Sequence, residues 1–176
     1  MERKGKQIAV FGDYDVDGAT SSALLKRFFR AIGVELDIYI PDRIKEGYGP
    51  TTGAFEKLLS RGAELVLTVD CGATAYDPLK FAKEAGLDVI VLDHHSSGPS
   101  NPECFALVNP NRIDDNSGQG MLAAVGVVFL FLDRCGIFIN PHFPKKCPKK
   151  SSPEGACGRQ CVRLYPLNSW KYPKKS

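Results

Sequence analysis

The chain has 176 residues, 43% of them hydrophobic and 24% charged, which suits one globular domain with a sizeable core. No apolar run approaches the ~20 residues that span a bilayer, so a helical membrane protein is excluded and no membrane partner is expected. The opening Met1 to Lys6 is charged and lacks the apolar stretch of a secretory signal, so a cytoplasmic location without disulfides is expected for the six cysteines.

The pattern starts at Ile8 to Phe11, a short apolar run that reads as a buried strand. It is followed by "FGDYDVDGATSS", residues 11–22, which places Asp13, Asp15 and Asp17 within five positions. Like charges this close repel, and a carboxylate drawn into a low-dielectric site is costly unless it is paired or bound to a cation. Gly18 to Ile32 then reads as a helix, with Leu24, Leu25, Phe28, Phe29 and Ile32 at three- and four-residue steps, and Val34 to Ile40 alternates as a strand. A second cycle follows. Thr51 or Thr52 caps a helix running to Leu59, Leu65 to Val69 is an unbroken apolar strand, Asp77 to Ala85 is a helix ended by Gly86, and Val89 to Leu92 is another strand. Strands alternating with helices predict an α/β fold, a parallel sheet with helices on both faces. Last comes a helix from about Met121 to Leu132, with Leu122, Val125, Val128, Phe129 and Leu132 expected on one side.

Ligands of open parallel sheets sit beyond the carboxyl ends of the strands, and the polar clusters of this chain fall there repeatedly. Asp13, Asp15 and Asp17 follow the first strand, Asp70 follows the third in "LVLTVDCGAT", and Asp93, His94 and His95 follow the fourth in "VIVLDHHSSG". Taken singly, each has a plainer reading: turn formers, a helix cap at Asp17, a packing residue at Cys71. Taken together at successive strand ends, mixed carboxylates and imidazoles without thiolates suit Mn²⁺ or Mg²⁺. Two ions bridged by one carboxylate relieve the repulsion best, and paired metals are a recurrent device of phosphoester hydrolysis.

These segments, "GDYDVDG", "TVDCG" and "LDHH", resemble the first three motifs of the DHH phosphoesterase superfamily. With "YIPDRIKEGYG", "LVNPNR" and "LAAVGVVFLFL" the resemblance narrows to the RecJ-type single-stranded-DNA-specific exonucleases, over roughly Lys6 to Leu132. The resemblance implies a five-stranded parallel sheet, two Mn²⁺ or Mg²⁺ ions, and 5′ to 3′ hydrolysis of single-stranded DNA in repair and recombination, with a single-strand-binding protein and a helicase as partners. It makes Asp15 and Asp17 metal ligands, Asp13 a further ligand or a supporting acid, Asp70 the bridging carboxylate and His94 a ligand. His95 becomes either a ligand or a contact to the scissile phosphate, and Asp93 is expected to orient His94. Arg43 and Tyr48 become nucleic-acid contacts, since Arg offers paired donors to phosphate and Tyr a stacking face; a solvated connection stiffened by Pro41 and Pro50 is the plain alternative. Two other readings stay open: a DHH phosphoesterase acting on oligonucleotides or cyclic dinucleotides, and an inactive fragment that binds metal or nucleic acid.

After about Cys135 the periodicity stops. From Pro141 onward nine Lys and Arg residues face the single acid Glu154, leaving a net charge of −5 for residues 1–140. The expectation is therefore a DHH domain over 1–135, incomplete against its family, and a basic tail over 136–176 rich in Pro, Cys and Lys, disordered or produced by a frameshift. Cys147, Cys157 and Cys161 with His142 lack a C-x₂-C pair, which argues against a zinc knuckle. The lysines suit electrostatic attachment to nucleic acid.

Overall fold

A computed structural model describes residues 7–135. The elements run β1 (Ile8–Gly12), α1 (Val16–Ala31), β2 (Leu36–Tyr39), α2 (Arg43–Glu46), α3 (Thr52–Ser60), β3 (Leu65–Val69), α4 (Tyr76–Glu84), β4 (Asp88–Leu92), β5 (Ala106–Val108) and α5 (Ala124–Arg134). The five strands form one parallel sheet in the order β2-β1-β3-β4-β5. This is the expected architecture; α2 and β5 are too short to carry a periodic signal and are additions to the sequence reading. The tail over 136–176, and every expectation attached to it, lies outside the described residues.

Strand alternation divides the core between the two faces. Ala9 and Phe11 of β1, Val66 of β3, and Val89 and Val91 of β4 pack with Phe55 and Leu58 of α3 and Leu79 and Ala82 of α4. Their neighbours Ile8, Val10, Leu67, Val69, Ile90 and Leu92 face the other way, against Leu25 and Phe28 of α1 and Val128, Phe131 and Leu132 of α5. Burial on both faces explains why the central strands read as continuous apolar runs, and each large side chain so buried contributes roughly 1.5–3 kcal/mol. The last helix departs from its expected face. Its buried residues are Ala124, Val127, Val128, Phe131 and Leu132, whereas Phe129 is 47% exposed. The helix starts three residues later than its periodicity suggests, because Leu122 belongs to the preceding turn and gives its carbonyl to the site described below.

The sheet reverses direction of growth between β1 and β3. The chain leaves β1 through α1 to β2 on one side, and later leaves β3 through α4 to β4 on the other. Such a reversal opens a crevice at the carboxyl ends of its two central strands. No helix among the described residues is long and apolar enough to cross a membrane.

Candidate metal centre

Three backbone hydrogen bonds carry the sheet one residue past its strands. Asp13 N donates to Val69 O (3.3 Å), Asp70 N to Leu92 O (3.0 Å) and Asp93 N to Val108 O (3.1 Å). The three acids that end β1, β3 and β4 therefore stand side by side across the crevice, all buried at 4% exposure or less. Asp70 adopts φ +62°, the only non-glycine residue among those described with positive φ. That left-handed conformation costs about 1 kcal/mol or more and is found where a site over-determines the backbone.

The β1–α1 turn is equally constrained. Asp15 is the N-cap of α1, its Oδ1 accepting from Gly18 N at 3.0 Å. The capping role considered for Asp17 thus falls to Asp15, and Asp17 lies in the first turn. A Cβ on Gly18 would fall 2.2 Å from the Asp13 carbonyl oxygen, so only glycine lets the helix start this close to the turn.

The carboxylates and imidazoles gather in two overlapping groups. Asp13, Asp15 and Asp70 bring potential ligand atoms within 4.8 Å of one another, and so do Asp70, His94 and His95. Asp70 is common to both. Asp17 belongs to neither at that spacing; its Oδ2 lies 3.8 Å from His94 Nε2. His94 Nδ1 is 2.9 Å from the carbonyl of Leu122. A carbonyl only accepts, so Nδ1 carries the hydrogen and Nε2 points its other valence at Asp70 Oδ1, 3.1 Å away.

Asp93 does not orient His94 as expected. Its Oδ1 stands 2.8 Å from His95 Nδ1 and also accepts from the backbone N–H of His94 (2.7 Å) and of His95 (3.2 Å), while Oδ2 accepts from Ala73 N at 2.8 Å. The reason is reach: Asp93 turns back beneath the dipeptide it precedes, so only the second imidazole comes over it. Asn109 and Asn111, which the sequence reading left without roles, complete the support by donating to the carbonyls of His95 (2.8 Å) and His94 (2.5 Å). Nothing in their residue type sets them apart from ordinary turn asparagines; only the fold brings "LVNPNR" under "DHH".

Electrostatics follow from this crowding. Burial and the adjoining Asp15 carboxylate push Asp70 up to about 8, and burial also raises Asp13. Asp15 is lowered, chiefly by the hydrogen bond from Gly18 N. Burial disfavours charge on His95, but the Asp93 carboxylate outweighs it and the imidazole is raised.

Two observations test whether a divalent ion suits these residues. Both Asp70 oxygens are buried without a hydrogen bond, although His94 Nε2 is within ion-pair distance of one. A carboxylate facing an imidazole lone pair and a second carboxylate needs a cation between them. The donor set, oxygen with imidazole and no thiolate, is that of Mn²⁺ or Mg²⁺, because the neighbouring Cys71 sulfur turns away to donate to Val69 O at 3.4 Å. The residues fit.

At the rim, Tyr48 OH approaches Asp70 O (3.4 Å) and His95 Nδ1 (3.5 Å), and its ring meets that of His95 edge to face. The Arg43 guanidinium lies 4.8 Å above the centre of the Tyr14 ring. Seven of the eight expected site residues thus meet in one crevice, and Arg43 packs on Tyr14 in the turn between Asp13 and Asp15.

Comparison with known proteins agrees with this geometry. The chain is 44% identical over 124 residues to the single-stranded-DNA-specific exonuclease RecJ of Bacillus subtilis, covering 70% of this chain and 16% of that protein. A crystal structure of exonuclease RecJ bound to manganese superposes with a TM-score of 0.63 at 38% identity, covering 76% of this chain and 35% of that one. RecJ in complex with Mn²⁺ from Thermus thermophilus gives 0.57 at 34% identity, over 76% of this chain and 19% of the other. The chain therefore spans about a sixth to a third of these relatives. The sequence profile described as the DHH family, N-terminal domain, matches residues 7–150, and the chain belongs to the DHH family.

Proposed function

We propose that this chain is the metal-binding part of a nuclease that hydrolyses phosphodiester bonds of single-stranded DNA from the 5′ end, serving repair and recombination in the cytoplasm. The observation that carries the reading is the pair of ligand groups sharing the buried, unbonded Asp70. Asp13, Asp15 and Asp70 would hold one Mn²⁺ or Mg²⁺ ion, and Asp70, His94 and His95 a second, with Asp17, whose Oδ2 lies 3.8 Å from His94 Nε2, as a further candidate ligand. Bound there, such ions polarise the phosphoryl oxygens and lower the pKa of a coordinated water.

The protein's own groups do the rest. Leu122 O fixes the His94 tautomer, and Asp93 holds His95 in place with its remaining nitrogen free for a ligand or a phosphate oxygen. Tyr48 covers the crevice, and Arg43 offers paired donors to an incoming phosphate. In this reading residues 1–135 belong to the DHH unit, and the basic segment that follows, into which the family match runs as far as residue 150, adds electrostatic attraction for nucleic acid. A single-strand-binding protein and a helicase are the partners the RecJ-type resemblance implies.

Turnover of 5′-labelled single-stranded DNA and of a cyclic dinucleotide, each with added Mn²⁺, tests the reading. DNA is expected to be degraded preferentially, with loss on Asp15→Ala. The rate is expected to fall well below that of a full-length relative, because placement errors of about 1 Å cost on the order of 10²-fold and the chain carries a fraction of the relatives' length. Preference for the cyclic dinucleotide overturns the substrate assignment, and Mn²⁺ binding with neither activity identifies a binding unit instead.

A further inference from the structure

Helix α2 carries Arg43 to the rim of the crevice, yet nothing in the core holds it. It has four residues, none of them buried, and Ile44 is 96% exposed. The Asp42 cap, accepting from Ile44 N (3.0 Å) and Lys45 N (3.4 Å), orders the turn internally but does not tie it to the sheet. That tie is made by Glu46. Its Oε2 accepts from the Tyr39 hydroxyl and from Lys57 Nζ (3.0 Å), while Oε1 accepts from Asp42 N at 3.3 Å. Tyr39 is 8% exposed, stacked on Phe11 with ring centres 5.7 Å apart, and paired with it in the β1–β2 ladder. Lys57 belongs to α3 and also donates to the Tyr39 hydroxyl at 3.1 Å. Glu46 thus fastens the helix to the sheet and to α3, the stack of Arg43 on Tyr14 being its other contact.

Both candidate nucleic-acid contacts hang on the Glu46 tie. Arg43 lies one turn before Glu46, over Tyr14 of the β1–α1 turn. Tyr48 lies two residues after it, reaching Asp70 O and His95 Nδ1, between Gly47 and Gly49, each with φ above +70°. We infer that Glu46 is a positioning residue: it holds Arg43 and Tyr48 against the metal centre and so sets the affinity for single-stranded nucleic acid. This rests on the nuclease reading above.

The sign of the effect separates positioning from plain charge. Glu46 is an acid close to where phosphates would lie, so removing it by charge alone strengthens binding to nucleic acid. Positioning predicts the opposite, since contacts that must be ordered on binding lose affinity.

Affinity for a 5′-phosphorylated oligothymidylate is measured by fluorescence anisotropy with saturating Mn²⁺ on the full 176-residue chain. Glu46→Ala is expected to weaken binding roughly fivefold. Glu46→Gln keeps an acceptor for Tyr39 and is expected to stay within about twofold of wild type. Glu46→Ala should have no further effect when Arg43→Ala and Tyr48→Ala are already present. Mn²⁺ affinity should be unchanged, and amide exchange over residues 42–48 should quicken in the nucleic-acid-free protein. Unchanged or tighter binding by Glu46→Ala, the same loss with and without Arg43 and Tyr48, a parallel loss of Mn²⁺ affinity, or unaltered amide exchange each overturns the inference. A wild-type chain with no Mn²⁺-dependent binding overturns the nuclease reading along with it, so the two failures are told apart by the wild-type control.

Discussion

Replacing Asp70 by asparagine tests the electrostatic account of the crevice. Its carboxyl is pushed from an ordinary 3.8 up to about 8, by burial first and by Asp15 second. A folded-state pKa above the unfolded one means that the native protein holds a proton the unfolded chain has released. The associated stability is complete below about pH 4 and is lost as pH rises toward 8. At about 1.4 kcal/mol per unit the shift sets a ceiling near ~6 kcal/mol. Asp70 itself is 1% exposed, but Asp15 and His95 open to water, and screening through that mouth brings the expected cost to about 2–3 kcal/mol. The asparagine side chain would carry no charge, fit the same volume and tolerate the positive φ. Thermal unfolding in EDTA should therefore show wild type losing stability between pH 4 and 8, while Asp70→Asn loses distinctly less over that range, keeping only the contributions of Asp13, Asp15 and His95, and melts roughly 10 °C higher at pH 8. Added Mn²⁺ should reverse the ranking: an ion at a hundred times its dissociation constant stabilises wild type by about 2.7 kcal/mol, and the variant should gain little. A variant less stable than wild type in EDTA at pH 8, or one that keeps the full Mn²⁺ shift, refutes the reasoning.

His95→Ala should weaken Mn²⁺ binding less than Asp70→Asn does, because the His95 side chain is 48% exposed and joins one ligand group whereas Asp70 joins both; equal losses in calorimetry remove the bridging role. Gly18→Ala should destabilise the fold by about 2–4 kcal/mol, since its Cβ would lie 2.2 Å from Asp13 O and the turn must move to admit it; a denaturant midpoint unchanged from wild type contradicts the close approach.

The fold was legible where periodicity was long. Leu65 to Val69 is the strand expected, and of the two threonines expected as helix cap it is Thr51 that serves, since an unbroken apolar run and a capping hydroxyl act locally. Termini drifted by a residue or two wherever a cap was shared with the site, as at Asp15. The candidate ligands were legible because carboxylates at successive strand ends are improbable in company. Their supports were not. Whether Asp93 serves His94 or His95 depends on how a side chain folds back on its own backbone, and Asn109, Asn111 and the Leu122 carbonyl act across 14 to 28 residues of sequence. The buried side of α5 was misread because Leu122 and Val125 fit a helical spacing that the preceding turn interrupts.

The hydrogen bonds that extend the ladder through Asp13, Asp70 and Asp93 tie the crevice to β1, β3 and β4, the three inner strands of the sheet. A ligand carried on a loop can be lost through local fraying, but these three acids separate only when neighbouring strands part, so their amide protons should exchange with the sheet core instead of with the surface. Damage to the centre short of unfolding must then enter through side chains or through the His94–His95 segment. The acidic floor would persist as a preformed cation trap in any variant whose sheet still folds.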